Sequence, residues 1–175
     1  MKKMLLSKIL LLGCLVGVSI SPVFAQTFED VDGLFAGIEG GISDISSDGV
    51  EGTGFNIENY GVKFGYKFNP ELRAYVSYAR STGDYQDLDK FYIGTDGFLF
   101  LTDNLKLIAG LKVGYARLSF ADIDSESGFL FGSKLGLSYD INQHNEIELG
   151  INADEIALDF KLYELGFYLG YNYKF

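Results

Sequence analysis

The chain has 175 residues, a formal charge of −10, 22 glycines, 15 phenylalanines, 12 tyrosines, two prolines, one cysteine and no tryptophan. The acidic balance argues against nucleic acid as a partner. The lone Cys14 excludes an intrachain disulfide, and beyond the first 25 residues no apolar run is long enough for a spanning helix.

Residues 1–25, MKKMLLSKILLLGCLVGVSISPVFA, open with Lys2, Lys3 and Lys8, continue apolar, and reach the small residues Val23 and Ala25. This pattern predicts a secretory signal peptide cleaved after Ala25, with a mature chain starting at Gln26. Losing three lysines takes the formal charge from −10 to −13. The stretch around Cys14 resembles a lipoprotein box, but cleavage there would leave an apolar tail without the usual polar tether. With cleavage after Ala25 the mature chain has no cysteine, so it can hold no Cys-based metal site. About 150 residues remain, one domain over 26–175.

Two-residue alternation then recurs to the end of the chain, and strands are predicted near 33–43, 56–68, 72–82, 90–102, 105–120, 128–141, 146–153 and 161–175. Short turns follow the second, fourth and sixth strands, at 69–71, 103–104 and 142–145, and longer acidic loops follow the others. This suits antiparallel neighbours with one tidy and one elaborate end, and an even strand number puts both termini at the tidy end. In the last strand Leu165, Phe167, Leu169, Tyr171, Tyr173 and Phe175 alternate with Glu164, Gly166, Gly170, Asn172 and Lys174. The second, sixth and seventh strands repeat the contrast between a large apolar face and one of glycines and charges. A narrow barrel has little room inside, so the glycine-rich face belongs in the lumen and the apolar face in hydrocarbon. The fold expected is all-β, an eight-stranded antiparallel up-and-down transmembrane β-barrel. A lipocalin-like barrel would need the aromatic face inside, and only the fourth strand, with Phe98 and Phe100, leans that way.

The inward set carries the cations Lys63, Lys67, Arg73, Lys106, Lys112, Lys134 and Lys174 and the anions Glu39, Asp96, Asp140, Glu146, Glu148 and Glu164. Charges in a narrow lumen are costly unless paired, so the near-balance predicts an ion-pair lattice filling the barrel rather than a conducting pathway.

The terminal strand, with Tyr171, Tyr173 and Phe175 at alternating positions, resembles the C-terminal insertion signal of bacterial outer-membrane barrels. With the leader and the strand count, the mature chain looks similar to the small outer-membrane barrel family of OmpX and the OmpA transmembrane domain. The resemblance implies an outer-membrane location in a Gram-negative bacterium, periplasmic termini, recognition of the last strand by the assembly machinery, and a lumen that is closed or weakly conducting. Some members are lipid A enzymes, the deacylase type using a histidine and a serine near the outer leaflet. Here the sole histidine, His144, falls in the turn at the opposite end, so no catalytic residues and no cofactor are expected.

The acidic loops carry Asp44, Asp48 and Glu51, then Asp84, Asp87 and Asp89, then Asp122, Asp124 and Glu126, and last Asp154, Glu155 and Asp159. The segment 122–126 faintly resembles a calcium loop without its full motif, which makes Asp122, Asp124 and Glu126 the candidate ligands for a divalent cation. A hydrated rim is the plainer reading, and a basic partner the other functional one. The expected role is structural or surface-interacting; a small ion-conducting pore is the alternative and a lipid-modifying enzyme a distant third.

Overall fold

The computed structural model describes residues 32–47, 57–83, 86–120 and 123–175, so the leader assigned to 1–25 and the start at Gln26 lie outside the described residues. Eight strands run in chain order: β1 (Gly33–Ser47), β2 (Ile57–Asn69), β3 (Leu72–Thr82), β4 (Gln86–Phe100), β5 (Leu105–Phe120), β6 (Ile123–Asp140), β7 (Asn145–Ala157) and β8 (Lys161–Lys174). Each pairs antiparallel with its neighbour, and β8 returns to β1, so the sheet is a closed barrel without a free edge. The tight connections at 70–71, 101–104 and 141–144 lie at the end where β1 begins and β8 finishes, here called the turn end.

Side chains alternate as the pattern requires. On β2, Val62, Phe64, Tyr66 and Phe68 face out and are exposed, while Lys63 and Lys67 face in and are buried. Outward aromatics mark two girdles, with Tyr66, Tyr139, Tyr171 and Tyr173 toward the turn end and Tyr60, Tyr78, Tyr115 and Phe129 toward the other. On β6, Phe129 and Tyr139 stand ten residues apart. At a rise of about 3.4 Å and a tilt near 40°, that spans about 26 Å, the height of a bilayer's hydrocarbon band.

The strands overrun the predicted boundaries mainly at the loop end. β1 continues to Ser47, β4 starts at Gln86, β6 at Ile123, and β7 continues to Ala157. The acidic residues Asp44, Asp87, Asp89, Glu126, Asp154 and Glu155, expected in loops, therefore belong to strands.

The cause is an inversion of the alternation. Within the bilayer band the barrel is apolar outside and charged inside. Above it, Ile45, Ile57, Leu88, Leu118, Leu130, Ile156 and Leu162 turn inward and are at most 4% exposed, one from every strand except β3. Their outward neighbours include Asp44, Glu58, Asp87, Asp89, Arg117, Glu155 and Lys161, together with the aromatics Phe129, Phe131 and Tyr163. Direct cross-strand pairs such as Leu88 with Leu118 and Ile156 with Leu162 knit this layer together. Water surrounds the wall there, so the inward face becomes the favourable place for apolar groups. The projecting section is a water-facing barrel with its own core, and that core continues strand pairing beyond the membrane.

Candidate functional site: the lumen and its rim

Below the apolar layer the lumen is a stack of ion pairs. Arg73 on β3 is the hub. Its Nε and Nη2 donate to Asp96 Oδ2 at 2.9 and 2.5 Å, Nη1 donates to Glu146 Oε1 at 2.8 Å, and Nη2 also reaches Glu148 Oε1. The guanidinium carbon lies 4.9 Å from the ring centres of both Phe35 and Phe98, so its faces are covered as well as its edges. This is the use of the inward aromatic on β4: it packs a cation.

Around the hub, Lys134 Nζ donates to Asp96 Oδ2 at 2.9 Å and to Glu148 Oε2 at 3.1 Å, and Lys63 Nζ donates to Glu148 Oε2 at 3.0 Å. Asn172 Nδ2 donates to Glu146 Oε1 at 2.8 Å and also to Glu148. The side chains of Asp96 and Glu148 have no exposure at all. Toward the turn end, Lys106 and Lys174 share Asp140 at 2.6 and 3.1 Å. Lys67 is buried there too, its Nζ 5.8 Å from the Phe98 ring centre.

Toward the loop end, Lys112 meets Asp154 at 3.0 Å, while Lys90 meets Glu164 at 2.7 Å and Asp154 at 3.9 Å. Ser81 Oγ donates to Glu164 at 3.0 Å, and Tyr92 Oη donates to Glu39 at 3.0 Å. Glu39, Lys90, Tyr92, Lys112 and Glu164 border a cavity of about 20 Å3, room for roughly one water. Lys90 and Asp154 were absent from the predicted set. Asp154, expected in an acidic loop, is a buried luminal anion instead. The signal for both lies in parity: Lys90 shares it with Asp96 on β4, and Asp154 shares it with Glu146 and Glu148 on β7.

The glycines supply the space. A Cβ on Gly132 would stand 2.0 Å from Asp154 Oδ1, and one on Gly94 would stand 2.4 Å from the Tyr75 ring. The lattice side chains thus cross the lumen over bare backbone.

The rim differs from the expected ring of loop carboxylates. Arg80 meets Asp87 at 2.6 Å and Asp89 at 3.7 Å, and Lys161 meets Glu155 at 2.6 Å. Of the three candidate cation ligands, Asp122 and the side chain of Asp124 lie outside the described residues. Glu126 lies on β6 opposite Leu118, its Oε2 buried without a hydrogen bond among the described residues. Among the described residues no group of three or more His, Cys, Asp or Glu side chains is gathered to hold a metal.

At the turn end His144 clasps the last strand. Its Nδ1 lies 2.9 Å from Lys174 O, its ring stacks on Tyr173 with centres 5.9 Å apart, and its backbone carbonyl accepts from Lys174 N at 2.7 Å. Tyr171 bonds Asn145, and Phe175 packs edge-on to Tyr173. The three residues of the expected insertion signal thus share one outward patch with the neighbouring turn.

No protein-family model and no curated protein matches the sequence. Solved structures do resemble it. Neisserial surface protein A superposes with a TM-score of 0.71 at 17% identity, over 81% of this chain and 97% of that one. Ail, the attachment invasion locus protein of Yersinia pestis, in complex with the heparin analogue sucrose octasulfate, gives 0.53 at 17% identity, over 81% and 99%. The outer membrane enzyme PagL gives 0.53 at 12% identity, over 77% and 97%. Closure, strand number and pairing agree with these likenesses: the chain has the fold of the small eight-stranded bacterial outer-membrane β-barrels.

Proposed function

We infer that this chain is a Gram-negative outer-membrane barrel with a structural or surface-interaction role, its turn end in the periplasm and its projecting section outside the cell. The observation that carries this reading is the double closure of the lumen. A buried ion-pair lattice fills the bilayer section, and apolar side chains from seven strands fill the section above it. An ion would have to break several buried pairs and then cross a dry layer, so the closure argues against a pore.

The shared fold with PagL leaves chemistry to be argued from this chain's own residues. The sole histidine is held in a turn at the end opposite the rim, so the rim has no histidine to serve as a base beside a serine. What remains at the rim is surface chemistry. Asp44, Glu58, Asp87, Asp89, Glu155 and Asp159 outnumber Arg80, Arg117 and Lys161, which favours basic partners or divalent cations over soluble polyanions such as the ligand of Ail. Membrane lipid contacts the apolar belt, and the assembly machinery is the partner proposed for the strand ending in Phe175.

Single-channel recording on pure refolded protein in a planar bilayer tests the reading. The expected trace is flat, and reproducible unitary openings at neutral pH would overturn it.

A further inference from the structure

The outward face on β3–β6 carries an arrangement that neither the lattice nor the closed lumen uses. Cross-strand register aligns Tyr78, Phe91, Tyr115 and Phe129 in one row of the upper girdle. All four are more than 40% exposed, as residues facing hydrocarbon are. The next row toward the loop end reads Arg80, Asp89, Arg117. It is the first outward charged row past the point where the alternation inverts, so it stands at the level of lipid headgroups.

The two arginines sit two strands apart, about 10 Å at the usual inter-strand spacing, close enough for long side chains to converge on one group. Arg117 is exposed, and among the described residues its guanidinium has one partner, Ser125 Oγ at 2.8 Å. The remaining N–H donors of that planar fork meet no acceptor among the described residues. Arg80 is held by Asp87 and Asp89, and Asp89 is also bonded by Tyr78 Oη at 2.6 Å. The opposite sector lacks this pattern. There the corresponding row runs Glu155, Tyr163, Ser46, and the nearby Lys161 is engaged by Glu155.

We propose that Arg117 and Arg80, above this aromatic row, form a binding site for the phosphate of a membrane lipid, whose acyl chains lie along Tyr78, Phe91, Tyr115 and Phe129. Arginine matches a phosphate through paired N–H donors. A lipid reaches the site by lateral diffusion within the leaflet, so the acidic rim, which repels soluble anions across about a Debye length of 8–10 Å, does not shield it. The site rests on the membrane-embedded reading and is independent of whether the lumen conducts.

The test uses the refolded barrel in detergent micelles, with bound lipid counted by native mass spectrometry. The probes are phosphatidic acid, diacylglycerol with the same chains, and inorganic phosphate. Saturable binding of phosphatidic acid is expected, with diacylglycerol and inorganic phosphate at least about tenfold weaker, the factor that one charge-assisted hydrogen bond represents. Arg117→Gln should weaken phosphatidic acid by about tenfold or more, and Arg80→Gln by less, because its carboxylate partners compete. Lys161→Gln, a change at another rim cation, should leave binding unchanged. Equal binding of diacylglycerol, equal binding of inorganic phosphate, or an equal loss in Lys161→Gln would each overturn the proposal. Heat-modifiable gel mobility checks folding of every variant, and since Arg117 faces outward with one hydroxyl partner, that single variant keeps the test informative if the Arg80 change perturbs the wall. A barrel that fails to insert into lipid at all would count against the membrane reading instead.

Discussion

Replacing Glu148 with glutamine keeps the size of the side chain and removes one negative charge from the centre of the lattice. Glu148 accepts from Arg73, Lys63, Lys134 and Asn172, with no solvent exposure. The neutral variant leaves three cations facing one another with Asp96 and Glu146 as the remaining anions in direct contact, and its new amide hydrogens point at donors. Removing one partner of a buried ion pair costs about 3–5 kcal/mol, because the stranded charge keeps its desolvation penalty. That is a large part of the roughly 5–15 kcal/mol that holds a typical domain folded. An exposed pair gives the contrast: Asp87→Asn, which loosens a contact of side chains about one-third exposed, should cost about 0.2–1 kcal/mol. Lys134→Met should fall near the Glu148 value, and the double variant should lose less than the sum by about 1–3 kcal/mol, since the two groups touch. The assay is urea unfolding from lipid vesicles followed by circular dichroism, because the chain has no tryptophan to report by fluorescence. A loss below about 1 kcal/mol for both luminal variants would refute the reasoning, since it would mean that hydrated charges line an open lumen.

Gly94→Ala should destabilise the barrel by about 1–3 kcal/mol, because its Cβ would overlap a Tyr75 ring already hemmed in by Lys63 and Lys134; outward-facing Gly40, whose Cβ would meet nothing closer than 3.6 Å, should accept alanine with little change in the same unfolding assay. Leu118→Ala, in the layer above the lattice, should cost about 2–5 kcal/mol, yet bilayer recordings should stay silent because the ion pairs below it are intact. His144→Ala should cost about 1 kcal/mol and raise hydrogen exchange at Lys174 N, whose acceptor lies in the same turn. Deleting Phe175 should lower the amount of protein recovered in the outer-membrane fraction of cells, with normal recovery counting against its role in assembly.

The membrane section was legible in the sequence because one rule governs it. Lipid outside and little room inside force large apolar residues to one parity and glycines and charges to the other, as on β2 and β8. The section above the membrane obeys the opposite rule, and a reader who carries the first rule too far ends the strands early. Hence β1, β4, β6 and β7 run longer than lipid-facing alternation alone predicts, and Asp154 lies on a strand and not in a loop. In β8 the change is visible in four residues: Leu162 and Glu164 face in, while Lys161 and Tyr163 face out, before Leu165 and Phe167 resume the lipid-facing pattern.

By itself the sequence determined the strand number, the closed antiparallel order, the lipid-facing surface and most of the inward charges, because alternation is local and each strand reports its own two faces. Which charges meet was decided only by the tertiary structure. Arg73 lies more than 70 residues along the chain from Glu146 and Glu148, and closure of the barrel joins them. The same closure gathered seven apolar side chains into a seal, while the pairing register of β3, β4 and β5 set Arg80 and Arg117 in one row; strand stagger and tilt choose such partners, and no single strand encodes them.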